Sequence, residues 1–288
     1  MTWTCTEDVA EFRAHAEGFL GEHPAANTVL LTLVHRLAAG QSVGGDPALP
    51  PRLGWWRAGP QAPVTAAFVQ TPPHALRLSA MAPERAAELA LALPEGWSGL
   101  SGVAATTAVA EAFAGAWAER FDLTTDVRER LRLYRLGELV LPTVRGRLRA
   151  AGPDDHALLV GWWQAFLTEV GIPAFTPVEE SVARRTAEGD ILVWESDGAD
   201  EQVRPVSIAA VSPTLAGMSR IGPVYTPPEE RGHGYASAVT AGASTLAIAR
   251  GAQEVLLYTD LANPVSNSIY QKIGYRPVAD NLELSFTG

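Results

Sequence analysis

The sequence predicts an α/β (α+β) chain built from two copies of one architecture, divided near Leu141-Pro142-Thr143 into residues 1–141 and 142–288. Two observations carry this. Each half reads helix, helix, three strands, helix, strand, helix, strand, so the element order restarts after residue 142. In the second half an apolar run from Met218 to Tyr225 passes through Arg231-Gly232-His233-Gly234 into a long helical pattern, the strand–turn–helix order of a ligand-binding α/β unit.

Residues 7–40 form one or two helices, with Phe12, Ala16, Phe19 and Leu20 at helical spacing and a second apolar cluster at Leu30, Leu31, Leu33, Val34 and Leu37. The Gly- and Pro-bearing stretch 41–47 is a loop. Strands follow at 52–58, 64–70 and 75–81. Pro83 opens a helix, as proline does in a first turn. A helix at 104–121 carries Val109, Phe113 and Trp117 on one stripe, and a strand at 129–140 ends the first half. The second half begins with a strand at 147–150. A helix opened by Pro153 runs through Leu158, Leu159, Trp162, Trp163 and Phe166, and another covers 179–186. Strands at 190–195, 206–211 and 218–225 lead to the glycine turn. The helix 235–250 stops at Gly251, a strand spans 254–259, and the helix 264–273 stops at Gly274. Strands at 275–279 and 282–286 close the chain.

Composition bounds the function. With 288 residues, 47% hydrophobic and 19% charged, the chain has ample core for two domains. A formal net charge of −10 argues against nucleic acid as a partner, because phosphate backbones need clustered Lys and Arg. It leaves a cationic amine open as substrate. Cys5 is the only cysteine, so an intrachain disulfide is excluded and a cytoplasmic location is expected. The first residues lack the charged and apolar regions of a signal peptide, and no apolar run reaches the length of a membrane span. No metal-ligand spacing stands out, and a homodimer is left open.

The chemistry concentrates between Ile221 and Pro277. Glycines at 232 and 234 tighten a turn and let phosphate oxygens approach the backbone, while the helix opening behind them turns its positive end to an anion. Arg231 adds a charge-assisted donor. His233 suits the same role or a solvated loop position. Pro223 cannot donate to a ladder, so Gly222-Pro223 marks a disruption in its strand. Tyr270 lies two helical turns past Asn263. It reads either as a proton donor or as a core residue, and Asn263 either as a ligand anchor or as the cap of the helix begun at Pro264.

These residues resemble the GNAT acyltransferase superfamily. Arg231, Gly234 and Ala236 match its diphosphate loop, Arg/Gln-x-x-Gly-x-Gly/Ala. Asn263, Ser266 and Tyr270 match Asn-x-x-small-x-x-x-Tyr, and Lys272-Ile273-Gly274-Tyr275 is similar to the Lys-x-Gly-Phe/Tyr ending. The resemblance is sharp from about residue 219 to 280. It implies two tandem mixed-sheet domains of that type, the second with a bulged strand that splays from its parallel neighbour at 254–259. It implies acetyl-CoA as cosubstrate, with the diphosphate on Arg231, Gly232, His233, Gly234, Tyr235 and Ala236. The pantetheine arm would pair with the backbone at Val224, Tyr225 and Thr226 and lie near Asn263, and Tyr270 would be the general acid. The expected activity is transfer of an acetyl group to a primary amine by direct attack. The alternatives are a longer acyl-CoA or a non-catalytic CoA-binding regulatory module. In the first half the corresponding turn, Met81-Ala82-Pro83-Glu84-Arg85-Ala86-Ala87, lacks glycine, so that half is expected to be a degenerate copy. The base stays open: residues 218–225 hold no carboxylate, and Glu169, Glu179, Glu180 and Glu195 are available but read as solvated surface charges. Trp162, Trp163, Phe166, Ile172 and Phe175 either line an acceptor pocket or face the core.

Overall fold

The structure, a computed structural model, describes residues 2–41, 43, 46, 48–171, 177–197 and 202–288. Ile172, Phe175 and part of the expected 41–47 loop lie outside them. The elements in chain order are β1 (Thr2–Thr6), α1 (Val9–Glu22), α2 (Thr28–Ala38), β2 (Arg52–Arg57), β3 (Val64–Gln70), β4 (Leu76–Leu78), α3 (Pro83–Ala92), β5 (Gly102–Thr106), α4 (Thr107–Phe121) and β6 (Thr124–Leu136). They continue as β7 (Arg147–Ala150), α5 (His156–Val170), α6 (Val178–Ala187), β8 (Ile191–Asp197), β9 (Val203–Val211), β10 (Met218–Tyr225), α7 (Tyr235–Ala249), β11 (Glu254–Asp260), α8 (Pro264–Lys272) and β12 (Tyr275–Thr287). Parallel and antiparallel pairs are mixed. Two compact units result. The first is Met1–Leu133 with Asp260–Ala262 and Val278–Gly288, and the second is Tyr134–Thr259 with Asn263–Pro277.

In the first unit the strand order is β1-β2-β3-β4-β5-β12, with β6 beside β12. β4 and β5 run parallel, whereas β1–β2, β2–β3, β3–β4 and β5–β12 run antiparallel. The end of the chain completes this sheet: Asn281 lies opposite Thr106 and Ser285 opposite Gly102. Gly102 is required there, since a Cβ would stand 2.2 Å from the Leu284 carbonyl oxygen. Leu282 and Leu284 bury into one core with Phe68, Leu89, Phe113 and Trp117. Two strands were not foreseen. β1 is largely exposed and polar, so it lacks an apolar signature. β5 contains Ala104 and Ala105, residues that favour helix when only local propensity is weighed. The helix expected from 104 therefore begins at Thr107, and the two closing strands are one.

In the second unit the order is β11-β10-β9-β8-β7. Strand side chains alternate between two buried faces. Leu192, Ala209 and Val211 pack under α7 with Val239, Ala243 and Ala247. Ile191, Val193, Ile208 and Ala210 pack under α5 and α6 with Leu159, Val178 and Val182. Burial on both faces explains the near-continuous apolar runs of these strands.

Candidate active site

Strand β10 is parallel to β11 over only three positions, Met218–Glu254, Ser219–Val255 and Arg220–Leu256. Both strands continue beyond that point, to Tyr225 and Asp260, without further ladder partners on this side. The parting coincides with a bulge on the other edge. Ile221 pairs with Val211 and Val224 with Ala209, so β10 spends one residue more than β9. Gly222 and Pro223 occupy the bulge, Gly222 at φ +153° and joined to Pro223 by a cis peptide. Proline brings no N–H to the ladder, which is the local reason that the register breaks here. The result is a V open toward the C-terminal ends of β10 and β11.

Beyond β10 the chain makes a single 3-10 turn, Pro228–Glu230, and then the glycine turn. Gly232 and Gly234 hold φ +86° and +83°, a region where a side chain is strained, and a Cβ on Gly234 would meet Val144 Cγ2 at 3.1 Å. Gly234 is the N-cap of α7 and offers no side-chain bond to the first turn. The opening N–H groups of α7 are thus left for solvent or an anion. His233 stacks on Tyr235 at 5.4 Å, with its Nδ1 3.3 Å from the Glu230 carbonyl. The Tyr235 hydroxyl donates to Ser196 Oγ at 3.2 Å. Arg231 donates from Nε to the Thr226 carbonyl at 3.0 Å and from Nη2 to Glu169 at 2.7 Å, an exposed ion pair.

Helix α8 stands after β11. Asn263 caps it, its Oδ1 accepting from the Ser266 N–H at 3.0 Å. Tyr270 is buried, with its ring 6.5 Å from that of Tyr134 and 6.1 Å from that of Tyr275. Its hydroxyl has no hydrogen bond among the described residues, and burial pushes its pKa up to about 12. Tyr134 clamps the same helix. Its hydroxyl donates to Asn267 Oδ1 and accepts from Gln271 Nε2, each at 2.9 Å.

The remaining carboxylates differ. Glu195 accepts from Arg149 at 2.6 Å and from Arg147 at 2.8 Å, and these guanidiniums, Arg149 first, hold it below the usual carboxylate range. A carboxylate so held is a poor base. Glu179 and Glu180 are exposed, and Glu169 belongs to Arg231. Trp162, Trp163 and Phe166 pack against the core under α5, and Trp162 also stands 6.2 Å from the Tyr225 ring. One contributor escaped the sequence reading. Buried Ser207 donates to the Tyr225 carbonyl at 3.0 Å and lies 2.8 Å from Thr226 Oγ1, fixing the segment at the mouth of the V. The available signal was a lone hydroxyl within the apolar run of β9.

Residues 201–283 match the model of the family described as FR47-like protein. No curated protein matches the chain. Among solved structures, a GNAT-family acetyltransferase from Colwellia psychrerythraea aligns with TM-score 0.57 at 10% identity, covering 99% of each chain. A GCN5-related N-acetyltransferase from Sphaerobacter thermophilus gives 0.61 at 13%, over 99% of this chain and 95% of that one. A tandem GNAT protein from the clavulanic acid biosynthesis pathway gives 0.50 at 15%, over 99% and 98%. The chain has the GNAT fold. The two units realise that fold differently at their parallel pairs. In the first unit, the N–H of Ala80, just past β4, is taken by Asn27 Oδ1 at 3.1 Å, and Ser79 donates its N–H to the Ala67 carbonyl at 2.9 Å. The helix behind it, α3, starts from Ala82 and Pro83 with no glycine. The Ala80 N–H of the first unit is thus occupied, whereas past Arg220 β10 has no ladder partner on its β11 side.

Among the described residues no helix is long and apolar enough to cross a membrane, and no group of three His, Cys, Asp or Glu side chains could hold a metal.

Proposed function

We propose that the second unit binds acetyl-CoA and transfers the acetyl group to a primary amine by direct attack. The observation that carries this is the V: β10 and β11 pair for three residues, part at a bulge, and lead straight into a glycine turn and an uncapped helix. The residues present fit the cosubstrate, because Gly232 and Gly234 leave open a cradle of backbone that side chains would fill. Arg231, Gly232, His233, Gly234, Tyr235 and Ala236 would hold the diphosphate. The Arg231–Glu169 pair is exposed, worth at most about 1 kcal/mol, so a diphosphate can compete for the guanidinium. Val224, Tyr225 and Thr226 would pair with the pantetheine, with Asn263 at the start of α8. When bound, acetyl-CoA supplies an acetyl group activated as a thioester.

The chain's own residues do the rest. A backbone N–H on the open edge of β10 can polarise the carbonyl, a preorganised donor already fixed by the bulge. As nitrogen bonds to the acyl carbon and the C–S bond breaks, Tyr270, a phenol that keeps its proton at neutral pH, would give it to the departing sulfur, and the proton lost by the nitrogen would return to the phenol through solvent. The partner is a small-molecule or peptide amine, and a reducing cytoplasm is the proposed compartment for a chain whose only cysteine is Cys5. The test is thiol release from acetyl-CoA with a panel of polyamines, aminoglycosides, amino acids and peptides. Turnover with any primary amine supports the reading. Tight CoA binding with no turnover across the panel would replace it with a binding module, and faster turnover of longer thioesters would replace the acetyl group.

A further inference from the structure

The bulge that opens the V is itself held by a side chain from outside the strands. Arg185, on α6, donates from Nη2 to the Val211 carbonyl at 3.0 Å, and its Nη1 reaches toward the Gly222 carbonyl at 3.5 Å. Val211 is the β9 residue opposite Ile221, the last position before the register shifts, and Gly222 is the first residue within the shift. One guanidinium therefore bridges the two strands where the ladder between them is interrupted. The geometry suits arginine, whose rigid fork offers donors to two acceptors at once, whereas an ammonium on a flexible stem does not.

The setting of this cation also calls for explanation. Arg185 makes no ion pair with a carboxylate among the described residues. Its Cζ lies over the Trp163 ring, 5.1 Å from the centroid, and burial lowers its pKa to about 10, which still leaves it charged at neutral pH. Asp190, Arg184, Glu188 and Arg220 are the charged groups around it, at longer range. A cation spent on two backbone carbonyls instead of an acid serves the placement of those carbonyls.

We propose that Arg185 is a positioning residue that fixes the β10 bulge, and through it the width of the V where the acyl group would sit. This rests on the acyl-transfer reading above. The group admitted between the parted strands is bounded by Ile221–Tyr225, so a bulge free to shift admits a longer acyl chain and holds an acetyl group less well. A one-methylene difference in a well-formed pocket is worth roughly 10- to 200-fold in kcat/KM.

The experiment uses the full chain with Arg185→Met and Arg185→Lys. The first readout is backbone hydrogen exchange by mass spectrometry, comparing peptides over 218–226 with peptides over β8. Faster exchange confined to 218–226, larger for Met than for Lys, is expected, and unchanged exchange there overturns the proposal. The second readout is the ratio of kcat/KM for acetyl-CoA to that for propionyl-CoA. We expect it to fall about tenfold in Arg185→Met and less in Arg185→Lys. A loss of folded enzyme lowers both thioesters by one factor and leaves the ratio unmoved, so an unmoved ratio overturns the proposed control of acyl width. If the unsubstituted protein turns over neither thioester, the acyl-transfer reading fails, and the exchange data alone judge whether Arg185 holds the bulge. If Arg185→Met does not fold, Arg185→Lys carries both readouts.

Discussion

Replacing Tyr270 by Phe separates stability from activity, and the structure gives the size of each. The ring contacts to Tyr134 and Tyr275 survive, because the substitution removes only an oxygen. That oxygen has no hydrogen-bond partner among the described residues, and its residue is buried. Deleting a hydroxyl that makes no hydrogen bond to the protein changes stability little, by within about 1 kcal/mol. For a domain of roughly this size, 1 kcal/mol moves Tm by about 2–4 °C. The variant should therefore melt within a few degrees of the unsubstituted protein. Activity should fall much further. Removing a general acid costs roughly 100- to 10,000-fold, and since a thiolate leaves fairly well unaided the lower end applies, about 100-fold or 2.7 kcal/mol. An interaction made in the transition state lowers kcat and kcat/KM together with little change in the acetyl-CoA KM. The assay is differential scanning calorimetry beside steady-state kinetics with a competent amine. Unsubstituted kcat in Tyr270→Phe would reduce Tyr270 to a packing residue. A fall in Tm of several degrees would show that the hydroxyl is bonded in solution, which undercuts the argument for a free donor.

Three further outcomes are expected. Acetyl-CoA at about 100 times its Kd should stabilise the protein by about 2.7 kcal/mol. Gly234→Val, which forces a branched side chain into φ +83°, should melt lower by itself but lose that ligand-dependent shift; a full shift in the folded variant refutes the diphosphate cradle. Calorimetric titration should give one acetyl-CoA site per chain, since Asn27 already occupies the Ala80 N–H in the first unit, and a stoichiometry near two contradicts this. Asp155 and Glu195 have pKa values lowered chiefly by Arg149, so they stabilise the fold above their unfolded pKa values and the gain is lost as pH falls through the folded ones. Denaturant midpoints of the unsubstituted protein and Arg149→Met should therefore differ most near neutral pH and converge below about pH 4, while a constant gap would exclude this linkage.

By itself the sequence determined most of the elements and the glycine turn after β10. Helix limits such as Pro83, Gly251 and Gly274, and the turn Arg231–Ala236, are written in residues whose backbone preferences act locally. The disruption at Gly222-Pro223 was legible for the same reason, because a proline without an N–H breaks a ladder in any neighbourhood. What depends on distant partners was not legible. Local signals place one boundary after Leu141, whereas the contacts return Asp260–Ala262 and Val278–Gly288 to the first unit, where Leu282 and Leu284 bury. β5 was hidden because alanine favours helix locally and strand only when β4 and β12 flank it. Asn263 had two roles open, and the fold gave its oxygen to the Ser266 N–H. Arg231 faces Glu169 across 62 residues of sequence, and Arg185 reaches Val211 across 26. Such pairs exist only after the helices close over the sheet, because side-chain charge and burial are properties of the packed neighbourhood and not of the residue.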